Sequence, residues 1–172
     1  MNSPSESNAA SRQPDFALAE SDIAPINPAQ LAAPIGFAHG MATRGGRILW
    51  LAGQNGMDAE GRITAPGDII AQTDLTLTNI LAVVEAAGGR PEHVVKLHFY
   101  VSDLEAYRSR RRELGQVWKR HFGRWYPAMM LLGVTGFFEA DALIEIDGYA
   151  VIPDQEPNES VSKTSETAEK QA

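Results

Sequence analysis

The sequence predicts an α+β domain in which two helices cover one face of a mixed sheet, in the order β-β-α-β-α-β-β. Three observations lead there. Apolar residues alternate with period two over residues 47–53, 95–101 and 142–152. They recur with a helical period from Ile70 to Val84 and again from Tyr107 to Phe122. Turn-forming residues punctuate each switch between the two periods. A chain of 172 residues, 44% hydrophobic and 22% charged, has the profile of a globular protein of one domain, or at most two small ones.

The core is expected over residues 34–152. Residues 37–43 and 47–53, either side of Gly45-Gly46, read as a first hairpin, with Ile48, Trp50 and Ala52 on one face and Leu49 and Leu51 on the other. A loop rich in turn formers runs from Gln54 to Gly67. Asp68 then caps a helix whose stripe is Ile70, Leu77, Leu81 and Val84 and whose stop is Gly88-Gly89. Val95, Leu97, Phe99 and Val101 alternate with Lys96, His98 and Tyr100 as a half-buried strand. Ser102 with Glu105 fits a capping box, and Asp103 is an alternative cap. The second helix carries Tyr107, Leu114, Val117, Trp118, His121 and Phe122 and ends near Gly123. Strands over 128–134 and 142–152 complete the order.

The formal net charge of -7 belongs mainly to the two ends. Glu6, Asp15, Glu20 and Asp22 face only Arg12 in residues 1–33, and five acids face Lys163 and Lys170 in residues 153–172. Both ends are rich in Ser, Asn, Pro and Glu and are expected to be disordered tails, because such segments bury too little apolar surface to offset ordering entropy. The nearly neutral core argues against bulk attraction to nucleic acid or an anionic membrane. No run reaches the roughly 20 apolar residues of a membrane span, and there is no cysteine. The expected location is the cytoplasm.

In the last strand, Ala142, Ile144, Ile146, Gly148, Ala150 and Ile152 suit the helix-covered face. The other face mixes Leu143, Glu145, Asp147, Tyr149 and Val151, as a subunit interface holding a polar pocket would, although a solvated sheet face has the same look.

Several fragments, in order, carry a resemblance. They are Ala52-Gly53-Gln54, Gly67-Asp68-Ile69 with Gln72, Asn79-Ile80-Leu81, Ala86-Ala87-Gly88, Val94-Val95-Lys96, Ser102-Asp103-Leu104, Phe122, Tyr126-Pro127-Ala128 and Glu145-Ile146-Asp147. Over about residues 35–152 the chain resembles the Rid superfamily, also called the YjgF or L-PSP family. The resemblance implies a chorismate-mutase-like fold and a homotrimer with ligand clefts between subunits. It also implies cofactor-free hydrolysis of enamines and imines such as 2-aminoacrylate. The family's carboxylate-binding arginine falls at Met129, and its aromatic position near the start of the core at Phe37. A thioether cannot make the bidentate pair with a carboxylate that a guanidinium makes. The expected ligand is therefore larger or less charged than aminoacrylate.

By the same resemblance Glu145 matches the glutamate that holds and activates the attacking water, a task suited to a partly buried carboxylate with a raised pKa. The backbone of Gly53 and Gln54 would orient the substrate, and Phe37, Met129 and Met130 would give the pocket an apolar wall. The rival readings are a non-catalytic small-molecule sensor with the same trimeric fold and, lower, an endoribonuclease.

Other residues carry less. His39, His93, His98 and His121 lack ligand spacing, so no metal site is expected. There is no glycine-rich phosphate loop before a helix and no Gly-x-Ser-x-Gly elbow, so no nucleotide cofactor or acyl-transfer serine is expected. Arg108, Arg110, Arg111, Arg112, Lys119, Arg120 and Arg124 are the one basic concentration, with Trp118 and Trp125 nearby. They read better as a solvated helix face paired with Glu105 and Glu113 than as an RNA surface.

Overall fold

Asp68 starts the long helix, as its position predicts. Its Oδ1 accepts the amides of Ile70 at 2.9 Å and Ala71 at 3.2 Å, satisfying two donors of the first turn. The helix α1 (Ile69–Ala86) then buries Leu77, Ile80, Leu81 and Val84. It stops where Gly88 turns with φ 83° and the amide of Gly89 closes on the carbonyl of Val84. Its inner face also carries Gln72, Thr73 and Thr76, all buried; the two threonine hydroxyls donate to the carbonyls of Ile69 and Gln72. By length and composition α1 could cross a membrane, yet here it lies against a sheet with those polar groups inward.

The computed structural model describes residues 23–154. The strands are β1 (Ile23–Ile26), β2 (Gly40–Thr43), β3 (Arg47–Asn55), β4 (Val94–Val101), β5 (Ala128–Gly133) and β6 (Ile144–Ile152). The second helical segment comprises α2 (Leu104–Ser109) and α3 (Arg111–Phe122). The main sheet has the order β3-β6-β4-β5, with β4 and β5 parallel and the other pairs antiparallel. A β-α-β crossover through α2 and α3 is what lets β4 and β5 run parallel.

The core lies between this sheet and the helices. Leu97, Phe99 and Val101 from β4 and Ile144, Ile146 and Ala150 from β6 face Leu77, Ile80 and Val84 of α1 and Val117, Trp118 and Phe122 of α3. Each Leu, Ile, Val or Phe side chain among these that is fully removed from water contributes roughly 1.5–3 kcal/mol of transfer free energy. Trp118 stacks on Phe122 with ring centroids 4.2 Å apart and donates its indole N–H to the carbonyl of Trp125.

Three expectations need correction. The hairpin across Gly45-Gly46 is not formed: β2 pairs with β1 in a separate two-stranded ribbon, and β3 pairs with β6. The physical reason lies at Gly46, where φ is 74° and a Cβ would sit 2.8 Å from the carbonyl oxygen of Ile152. The two glycines carry the chain from the ribbon past the end of β6 instead of folding it back. Secondly, β1 falls inside the segment expected to be a disordered tail, so ordered chain begins by Ile23; residues 1–22 and 155–172, the rest of the expected tails, lie outside the described residues. Thirdly, the second helix is broken. Asp103 caps α2 by accepting the amides of Glu105 and Ala106, and the run breaks at Arg110 (φ −103°, ψ 12°), whose carbonyl accepts the amides of Glu113 and Leu114 as α3 restarts.

Candidate functional site

The register decides which face each predicted site residue occupies. Glu145 on β6 lies between Tyr100 of β4 and Asn55 of β3, and His98 aligns with Asp147 on one side and Met130 on the other. These residues point away from the helices. Leu97, by contrast, is buried on the covered face, and its neighbour on β5 is Met129. Glu145 and Met129 therefore lie on opposite faces of the sheet in one chain.

Glu145 sits against an irregularity in β3. Leu51 pairs with Gly148 and Gln54 with Ile146, so Ala52 and Gly53 together oppose the single residue Asp147, which is a β-bulge. A Cβ on Gly53 would overlap the Glu145 carboxylate, so a larger residue at this position would displace that side chain from the bulge. The carboxylate is half-buried and, among the described residues, makes no ion pair or side-chain hydrogen bond. Burial, and then the nearby charges of Glu139 and Asp147, push its pKa above the ordinary glutamate value. Such a group gains and loses a proton nearer neutral pH than an exposed carboxylate does.

Its surroundings are fixed by amides from α1. Asn79 donates to the carbonyls of Asn55 at 3.1 Å and Met57 at 3.0 Å, holding the chain that leaves β3. Gln72, fully buried, donates to the carbonyls of Ala65 and Asp141 and accepts the amide of Leu143 at 2.7 Å, which fixes the approach to β6. Asn55 donates to Glu139 at 3.0 Å. In the sequence Gln72 and Asn79 stand out only within the fragments that carry the family resemblance, and their partners are not legible there.

Asp147 is occupied. His98 Nδ1 lies 2.5 Å from its Oδ1, and the Tyr100 hydroxyl donates weakly to Oδ2 at 3.4 Å. Tyr149 meets both Trp50 and His98 edge to face. The same open face exposes Trp50 at 72% and Ile48 at 60%, a large apolar surface for a sheet to leave in water.

The other predicted residues gather elsewhere. Phe37, Met129 and Met130 line a cavity of about 730 Å³ beside β5, bounded by the segment before Ala38 and by α2 and α3. Ala38 anchors that segment, its amide donating to the carbonyl of Pro127 at 2.9 Å. The predicted residues thus form two groups, Glu145 with Gly53 and Gln54, and Phe37 with Met129 and Met130. His39 Nε2 donates to the carbonyl of Ala32 at 2.8 Å, and His121 reaches Asp74 at 2.6 Å.

With this geometry in place, relatives identify the family. The family model for endoribonuclease L-PSP matches residues 29–152. A RutC family protein of Pyrococcus horikoshii is 33% identical over 117 residues, covering 68% of this chain and 88% of that protein. A 2-iminobutanoate/2-iminopropanoate deaminase of Dermatophagoides farinae is 29% identical over 119 residues, covering 69% and 88%. Among solved structures, YyfB of Yersinia pestis, described as a protein of unknown function of the conserved Rid family, superposes with a TM-score of 0.69 at 30% identity, covering 76% of this chain and 99% of that one. The likeness extends over the sheet, both helical segments and the strand that carries Glu145, and the chain belongs to the endoribonuclease L-PSP family of the Rid superfamily.

Proposed function

We propose that the protein is a cofactor-free hydrolase of the Rid type, acting on an enamine or imine whose side chain is larger or less charged than that of 2-aminoacrylate. The observation that carries this reading is Glu145, a half-buried carboxylate with a raised pKa and no partner among the described residues, held against the backbone bulge at Gly53. A carboxylate in that state is suited to general acid–base work near neutral pH.

In the proposed reaction Glu145 takes a proton from water as the oxygen attacks the imine carbon. The resulting tetrahedral carbon carries oxygen and nitrogen together. Glu145 returns that proton to nitrogen, giving the carbinolamine, then takes the remaining hydroxyl proton and passes it to nitrogen as the C–N bond breaks, so that a carbonyl product and ammonia leave and the carboxylate is restored. An enamine substrate first takes a proton on its β-carbon and loses one from nitrogen to become the imine. The backbone of Gly53, released from regular pairing by the bulge, and that of Gln54 beside it would orient the substrate. The exposed Ile48 and Trp50 support a homotrimer in which this open face packs against neighbouring copies and each cleft is completed across the interface.

Met129 favours a second reading, a small-molecule-binding protein that retains the scaffold without turnover, because a thioether holds no carboxylate. Ammonia release from freshly generated imines separates the two. Activity in the wild type that disappears in Glu145→Gln, with the particle mass unchanged, supports the hydrolase. Binding of an imine or its keto product without ammonia release supports the binding protein and overturns the first reading.

A further inference from the structure

A second cavity lies at the C-terminal end of α3, where the turn after the helix meets a short 3-10 turn over Pro91–His93. At about 460 Å³ it is within the size range of small-molecule sites, and it shares no residue with the cavity beside β5. Phe122, Trp125 and Pro91 give it apolar walls, and Glu92, His121 and Arg124 give it polar groups. Trp125 is fixed in place: its indole N–H donates to the carbonyl of Val94 at 2.8 Å and its amide to that of Phe122 at 2.9 Å. Gly123, with φ 59°, ends α3 and turns the chain so that residues on both sides of it line the cavity.

The polar groups carry opposite charges that do not meet. Glu92 and Arg124 make no ion pair and no side-chain hydrogen bond among the described residues, whereas the neighbouring Arg120 is tied to Asp74 at 3.1 Å. His121 has one ring nitrogen in use, its Nε2 lying 2.6 Å from Asp74 Oδ1. A carboxylate accepts, so Nε2 carries the hydrogen, and in the neutral ring Nδ1 is left as an acceptor. The end of α3 adds the negative pole of the helix dipole. The cavity thus offers acceptors for a cation, a guanidinium fork for an anion and a fixed aromatic wall.

We propose that this second cavity binds a free α-amino acid with an apolar side chain, as its zwitterion. The ammonium group meets Glu92 and His121 Nδ1, the carboxylate meets Arg124, and the side chain lies on Trp125 and Pro91. A zwitterion answers both unpaired charges at once, whereas a simple acid or a simple amine leaves one of them without a partner and faces it with nothing in return. The fixed indole needs no ordering when the ligand arrives. This inference does not rest on the proposed hydrolysis, since Glu145 stands on the open face of the sheet and α3 packs on the covered one.

The test is calorimetric titration of the full chain with L-phenylalanine, 3-phenylpropanoate and 2-phenylethylamine, which share one apolar body and differ in the charges they carry. L-Phenylalanine is expected to bind about tenfold or more tightly than either of the others, each of which forfeits one charge-assisted contact. Arg124→Ala should lower the affinity for L-phenylalanine about tenfold and leave that for the amine unchanged. Glu92→Gln should lower it by a similar factor without weakening binding of the acid. Both positions are exposed, and thermal melts verify that the variants keep the fold. Glu145→Gln should bind L-phenylalanine as the wild type does, so that failure of the hydrolase reading leaves this result standing. Equal affinity for the three ligands, an affinity for L-phenylalanine unchanged in either cavity variant, or no binding of it at millimolar concentration would each overturn the proposal.

Discussion

The two faces of the main sheet are built from the same strands and obey different rules. On the covered face, Leu97, Val101, Ile144 and Ile146 are wholly buried against α1 and α3, and polar groups there are bonded within the chain. On the open face, Trp50 and Ile48 are largely exposed, Asp147 is tied to His98, and Glu145 has no partner among the described residues. One face is finished by its own chain. The other is left open, and it is the face on which the proposed function places its chemistry. The lesson is that burial within one subunit accounts for the fold, whereas the residues left over by that account point to function.

The largest expected effect separates the faces by chemistry. Glu145→Gln should lower turnover of any imine substrate by about 10²–10⁴-fold, the span that general acid–base catalysis supplies. Gly53→Ala should lower it as well, because the added methyl displaces the carboxylate, and the pH profile of the residual activity should move with it. An unchanged rate in both variants removes Glu145 from the mechanism.

Stability separates them next. Ile80→Ala on α1 opens a cavity in the finished core and should cost about 2–5 kcal/mol in urea unfolding. Ile48→Ala on the open face should leave the unfolding free energy of a single copy within about 0.5 kcal/mol and instead weaken assembly, read by sedimentation equilibrium. Equal losses from the two substitutions would show that the open face is packed in the same sense as the core.

The pH dependence sharpens the comparison further. At Asp74, burial alone would raise the pKa, but the hydrogen bonds from His121 and Arg120 outweigh it and hold the carboxyl below its ordinary value. The folded state therefore gains stability from Asp74 above the ordinary carboxylate range, and loses it as acid titrates the group in the fold. Glu145 has the opposite sign. Its raised pKa means that the unfolded chain gives up the proton first, so stability falls as pH rises from about 4.5 through the folded pKa. Glu145→Gln should then be more stable than the wild type at neutral pH, and Asp74→Asn less stable. Thermal melts between pH 3 and 8 measure both.

The smallest expected effect belongs to the caps. Asp103→Ala should cost about 1 kcal/mol in unfolding free energy by leaving the amides of Glu105 and Ala106 without their acceptor. A cost near zero would mean that α2, a helix of six residues, is held by its packing alone.

Much of the covered face was legible in the sequence, because burial imposes a period. Val95 to Val101 and the α1 stripe were readable for that reason, and Asp68 for its capping chemistry. The ribbon was not legible. Ile23–Ile26 has four residues, one of them Pro25, within a stretch of Ser, Pro and Asn, and its partner lies beyond an irregular loop. Nor was the break at Arg110, since Ser109-Arg110-Arg111 contains neither glycine nor proline. At the site, the types Glu145, Gly53 and Met129 were available from resemblance, but their faces depend on register, which no local pattern fixes. The role of Gln72 depends on residues 69 and 71 positions later in the chain, and such contacts leave no mark near it.

The bulge on β3 has a consequence for how this strand can vary. Leu51 and Gln54 bracket two residues where Gly148 and Ile146 bracket one. Removing Gly53 would leave Leu51 opposite Gly148, Gln54 opposite Ile146 and Asn55 opposite Glu145, with Ala52 taking the place opposite Asp147. Every partnership on either side would survive the deletion. The extra residue is thus a separable insertion, neutral to the pairing on either side of it, and a chain lacking it would keep the strand order while removing the backbone that stands against the Glu145 carboxylate.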